Sequence, residues 1–163
     1  MGKNGKKLRR PPVDISAVSP SHRSLGKGRI TVDSDAADSM LPRNILKEVQ
    51  LRESESSKSG LHYRAANGSR MPNYGEKKVD FEMMGKGQPS GVHSITFQVT
   101  DSTKPLAAVS KIVKRGNRVV FDAEGSFIQN IQSGKKIDLI EVGGTYQMEV
   151  EYVSSCSDFP RRE

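Results

Sequence analysis

Apolar and polar residues alternate along several short runs of this chain. In Thr145–Val153, for example, Tyr146, Met148, Val150 and Tyr152 are interleaved with Gln147, Glu149 and Glu151. A period of two places one set on a buried face and the other in solvent, which predicts a strand. Similar signals predict strands at Arg29–Ser34, Leu61–Ala66, Lys77–Met83, Ser94–Thr100, Val109–Val113, Arg118–Asp122, Ser126–Gln129 and Lys135–Val142. Between them stand Asn67-Gly68, Gly85-Lys86-Gly87, Arg115-Gly116-Asn117, Glu124-Gly125 and Gly143-Gly144, each able to take the positive φ of a hairpin turn. Short strands at this density point to a mostly β, antiparallel barrel or sandwich. One helical turn is expected after Pro42, with Ile45, Leu46 and Val49 at helical spacing, and an exposed loop is expected from Arg52 to Gly60.

Composition limits how much such a fold can bury. With 163 residues, 34% of them hydrophobic, 6% aromatic and no Trp, the chain has room for one modest domain with a thin core and a tail. Small cores often need a partner.

Charge is concentrated at one end. Lys3, Lys6, Lys7, Arg9, Arg10, Arg23, Lys27 and Arg29 face Asp14 alone over the first 29 residues, a surplus equal to the net +7 of the whole chain. Residues 1–27, with Pro11-Pro12 and Ser19-Pro20-Ser21, are expected to be a disordered basic tail. Such a tail serves as a solvated linker, or holds nucleic acid nonspecifically through phosphate neutralisation, or lies on an anionic membrane surface; no aromatic residue is interleaved for base stacking. No apolar run approaches the ~18 residues of a membrane span and no secretory h-region opens the chain, so a soluble, intracellular protein, cytoplasmic or nuclear, is expected. Cys156 is the single cysteine, which leaves no internal disulfide and no Cys-based zinc site, and His22, His62 and His93 are widely spaced, so no metal or other cofactor is expected.

The candidate chemistry lies at Ile30-Thr31-Val32-Asp33-Ser34-Asp35-Ala36-Ala37-Asp38-Ser39-Met40-Leu41, where a β-branched run delivers an Asp-Ser pair into a turn of small residues. It resembles the active-site strand and loop of a retropepsin-type aspartic protease. That resemblance implies that Asp33 supplies a catalytic carboxylate, Ser34 cross-bonds two loops and Ala36 leaves room for paired backbones. Two such carboxylates share a proton while one activates water. One loop per chain then requires a homodimer with the site on its two-fold axis. Asp35 departs from the pattern, since the family has Gly there, and it adds a β-carbon and a third carboxylate beside the pair. Weak or absent activity is the expectation. The plain alternative is that Asp33, Asp35 and Asp38 are turn and capping residues. A calcium loop is not expected at Asp33, Asp35 and Asp38, because the Gly and the distal Glu of an EF-hand are missing. Asp101-Ser102 repeats the pair but leads through Thr103 and Lys104 to Pro105, as a strand-ending turn does.

The second informative block is Tyr63 to Val79, with Ala66-Asn67-Gly68-Ser69 at its centre. At this distance from the carboxylate loop a retropepsin has its flap, a hairpin that closes over an extended peptide. The order of Asp33-Ser34-Asp35-Ala36, Ala66-Asn67-Gly68-Ser69, Leu106-Ala107-Ala108-Val109-Ser110 and Gly116-Asn117-Arg118-Val119-Val120-Phe121 resembles the protease region of copia-type retrotransposon polyproteins. Gly134-Lys135-Lys136-Ile137 and Gly144-Thr145-Tyr146-Gln147-Met148-Glu149-Val150 resemble its boundary with the pre-integrase segment. The implied division is a tail over 1–27, a retropepsin-like β domain over 28–122, C-terminal hairpins over 123–153 and a second tail over 154–163. The implied substrate is a peptide or polyprotein. The competing class is a non-enzymatic β module for dimerisation, peptide binding or nucleic-acid association through the tail.

Overall fold

The computed structural model describes residues 22–65 and 67–154. Their strands are β1 (Arg23–Asp33), β2 (Met40–Pro42), β3 (His62–Arg64), β4 (Arg70–Pro72), β5 (Gly75–Met83), β6 (Val92–Thr100), β7 (Leu106–Ala108), β8 (Asn117–Val120), β9 (Ser126–Asn130), β10 (Lys136–Val142) and β11 (Thr145–Ser154). Two short helices, α1 (Glu55–Lys58) and α2 (Val109–Lys114), interrupt them.

The expected mostly β barrel is the observed fold. Neighbouring strands run in the order β1-β7-β2-β6-β5-β11, and β11 pairs back onto β1 to close a six-stranded barrel. Closure satisfies strand edges that would otherwise stay open. Alternation along the strands fills the interior: Met148, Val150 and Tyr152 from β11, Val79 and Phe81 from β5, Phe97 from β6 and Ile30 and Val32 from β1 form one buried cluster. Burying Phe81 and Phe97, at 2% and 0% exposure, contributes roughly 1.5 to 3 kcal/mol each. Beyond β11 the sheet continues through β10 and β9 to β8, all antiparallel. Gly143 and Gly144, at φ +57° and +82°, turn β10 into β11 with Val142 opposite Thr145. Two consecutive positive φ values make the tight hairpin turn that the pair predicts.

Several local expectations are corrected. Residues 109–113 are helical: Val109, Ile112 and Val113 follow an i, i+3, i+4 spacing, and Val109 and Ile112 pack on the core. The tertiary contact overrides the strand preference of β-branched side chains. The helical turn expected after Pro42 is replaced by a chain of turns with Leu46 at φ +52°. A left-handed residue cannot sit inside a right-handed helix, and Nζ of Lys77 donates to the Leu46 carbonyl at 2.8 Å. Lys77 is 5% exposed, and burial pushes its ammonium below the usual lysine range. Within the expected loop 52–60, Ser54 and Ser57 cap α1 reciprocally.

The basic tail is shorter than expected, because β1 starts at Arg23 and pairs Arg23 with Ser154 and Lys27 with Glu151. Residues 1–21 of the expected tail, and residues 155–163 with Cys156, lie outside the described residues. Segment 123–153 shares one sheet with 28–122: β11 is a barrel strand, and Ile128 and Leu139 join the same core.

Candidate carboxylate loop

The loop's position follows from two crossings. β1 ends in parallel register with β7, with Thr31 beside Leu106, Val32 beside Ala107 and Asp33 beside Ala108. The chain then turns and returns as β2 between β7 and β6, antiparallel at Met40–Leu106 and parallel along Met40–Gln98 to Pro42–Thr100. Residues 34–39 are therefore held at both ends by buried strands. Val32 and Leu41 enter the core on either side of them.

Within the loop Asp33 and Ala36 are half-buried, while Ser34 and Asp35 are exposed. The N–H of Asp35 donates to Oδ1 of Asp33 at 2.8 Å. Ser39 is buried and fastens the loop base: its Oγ accepts the N–H of Ala108 at 3.0 Å, and its carbonyl accepts the N–H of Gln98 at 2.8 Å. A buried backbone N–H left without that acceptor would cost about 1 to 3 kcal/mol.

Asp38 joins the loop to its surroundings. Its Oδ2 accepts from the Tyr63 hydroxyl at 2.9 Å, and its Oδ1 lies 3.4 Å from Nζ of Lys111 on α2. Burial, reinforced by the hydrogen bond to Asp38 and its charge, pushes the Tyr63 phenol up to about 12.

Tyr63 sits in the first strand of the β3–β4 hairpin, where His62, Tyr63 and Arg64 face Pro72, Met71 and Arg70. Asn67, Gly68 and Ser69 lie in its loop; Ala66, the other expected flap residue, lies outside the described residues. Asn67 Oδ1 accepts from the N–H and the hydroxyl of Ser69, and Gly68 N–H donates to the Ala65 carbonyl. Beneath the hairpin, buried Gln98 gathers polar groups. Its Oε1 accepts from the Ser54 hydroxyl at 2.8 Å and from Asn73 Nδ2 at 2.9 Å, and its Nε2 donates to Glu76 at 3.3 Å.

The second Asp-Ser pair is occupied elsewhere. Asp101 accepts from the Tyr74 hydroxyl and pairs with Arg43 at 3.2 Å, in a surface cluster at the turn after β6. Among the described residues no group of three or more His, Cys, Asp or Glu side chains is arranged to hold a metal ion. None of their helices is long and apolar enough to cross a membrane.

Sequence reasoning did not single out Ser39, Tyr63 or Lys111. Tyr63 carried a usable signal, as the apolar member of a polar-apolar-polar strand. The Ser39–Ala108 bond spans 69 residues and has no local signature.

No protein-family model matches the chain, and no curated protein matches it.

Proposed function

We propose that this chain is a retropepsin-like aspartic endopeptidase domain of a retrotransposon-type polyprotein, with activity weakened or abolished by Asp35. The observation that supports the proposal is the parallel pairing of β1 with β7, which holds Asp33 beside Ala108 at the end of β1, its carboxylate accepting the N–H of Asp35. A carboxylate oriented by a backbone donor at the end of a buried strand is suited to hold a proton or a water at a defined atom. The hairpin tied to the same loop through Tyr63 and Asp38 supports a role for Asn67, Gly68 and Ser69 in covering an extended peptide.

One chain brings one such loop. The exposure of Ser34 and Asp35 fits a surface that a second copy covers, with the two Asp33 carboxylates sharing a proton and the Ser34 hydroxyls bridging the loops. That copy would bring its own Asp35, adding like charge on both sides of the dyad. Each unit by which that charge displaces a carboxylate pKa amounts to about 1.4 kcal/mol, roughly tenfold in rate. A reducing, intracellular compartment, cytoplasmic or nuclear, suits the proposed protein.

The same exposed Asp35 favours a second reading, a non-catalytic barrel that retains dimerisation or peptide binding. Sedimentation equilibrium at micromolar concentration tests the dimer that a shared dyad requires. A reversible dimer lost on Ser34→Arg is expected; a strict monomer would rule out a shared dyad.

A further inference from the structure

A cavity of about 600 Å³ opens between α2, β6 and the β9–β10 hairpin, with Asp38 and Ser39 of the carboxylate loop at its edge. Its walls combine polar side chains with a set of isoleucines. Ile95, Ile112 and Ile137 only partly bury against the core, Ile128 forms a deeper wall, and α2 contains no buried residue at all. The helix packs on the core through Val109 and Ile112 and borders the cavity with Ile112. The cavity's volume falls within the roughly 300 to 1,000 Å³ of pockets that enclose small ligands.

The charged groups of the rim are three cations and one carboxylate, Asp38. Lys111, Lys114 and Arg115 line the rim at the last turn of α2. Lys111 is offset by Asp38 at 3.4 Å, whereas the side chains of Lys114 and Arg115 form no ion pair among the described residues. Burial pushes the lining His93 imidazole below its usual range, so near neutral pH it adds no positive charge. Two uncompensated cations therefore overhang an isoleucine-lined space.

We propose that this cavity binds a small amphipathic carboxylic acid, its carboxylate against Lys114 and Arg115 and its hydrocarbon body against Ile95, Ile112, Ile128 and Ile137. A guanidinium pairs well with a carboxylate, and covering the isoleucines removes apolar surface from water. A neutral amphiphile would leave the cations unmatched. A polyanion would leave the isoleucines unfilled.

Calorimetric titration of the whole chain with sodium decanoate, below its micelle concentration at pH 7.5, tests the assignment. One saturable site is expected. Decanol, and decanoate against the Lys114→Glu/Arg115→Glu double variant, should each bind at least about tenfold more weakly, a difference of about 1.4 kcal/mol. A Lys58→Glu/Lys86→Glu control carries the same charge change on exposed residues elsewhere and should bind as the wild type does. Circular dichroism establishes that each variant is folded, and Ile112→Trp should block binding whatever the charge. No saturable binding at millimolar decanoate, or equal affinity in the wild type and the Lys114/Arg115 variant, would overturn the proposal.

Discussion

The backbone N–H of Asp35 lies 2.8 Å from Oδ1 of Asp33, so the residue that departs from the protease pattern still makes the turn that orients the carboxylate. It does so without left-handed backbone, since Leu46 is the only non-glycine residue at positive φ among the described residues. In the proposed dimer the cost of Asp35 is therefore charge beside the paired carboxylates rather than strain within the loop. Asp35→Gly is accordingly expected to destabilise the barrel by no more than about 1 kcal/mol, through the greater freedom of glycine in the unfolded chain. Urea denaturation measures this, and a loss well above that figure would show that the side chain itself builds the loop.

Tyr63 ties the hairpin to the carboxylate loop, so Tyr63→Phe should cost about 1 to 2 kcal/mol by removing a hydrogen bond to a carboxylate. It should also change the alkaline limb of stability. Tyr63 and Tyr152 are pushed from 10.0 to about 12, Tyr152 by burial and Tyr63 by burial together with Asp38. Between those values the folded state holds protons that the unfolded state has released, so stability falls as pH rises from about 10 towards 12. The slope of unfolding free energy over that range should be shallower in Tyr63→Phe.

His93 sets an acid limit. Burial lowers its pKa below 6.5, the nearby Lys135 lowering it further and Glu82 opposing the shift, and its Nε2 has no hydrogen-bond partner among the described residues. Below pH 6.5 the unfolded chain takes up a proton that the folded chain resists, so stability falls as pH drops through that value. Denaturation midpoints at pH 7.5 and 5.5 should lie closer together in His93→Gln than in the wild type. Acid assays of proteolysis therefore need a folding control.

Gly75 begins β5 beside the Arg52–Glu76 bridge. Its φ is +132°, and a β-carbon there would meet the Arg52 carbonyl at a separation shorter than any real contact. Gly75→Ala combines backbone strain with a clash and should cost about 2 to 4 kcal/mol by urea denaturation.

Long strands were legible in the sequence because their alternation is local. β5, β6 and β11 were placed to within a few residues at each end, and the Gly143-Gly144 turn followed from the glycines alone. β2 and β7 were not predicted as strands. Each is three residues long and buried along most or all of its length, so neither shows a period. The helix at 109–114 was hidden by its valines and isoleucine, although their spacing was helical. The candidate carboxylate was legible as a residue type at a strand end. Its setting was not, because the β1–β7 register, the Ser39–Ala108 bond and the Tyr63–Asp38 bond join residues far apart in the chain.

Cleavage of a peptide library at acid pH by folded wild type, Asp35→Gly and Asp33→Asn/Asp35→Gly tests the central claim most directly. Pepstatin-sensitive cleavage by Asp35→Gly, faster than wild type by about tenfold or more and abolished when Asp33 is also replaced by Asn, is the predicted result. Absence of cleavage by a folded, dimeric Asp35→Gly protein, or cleavage that survives the loss of Asp33, would contradict it.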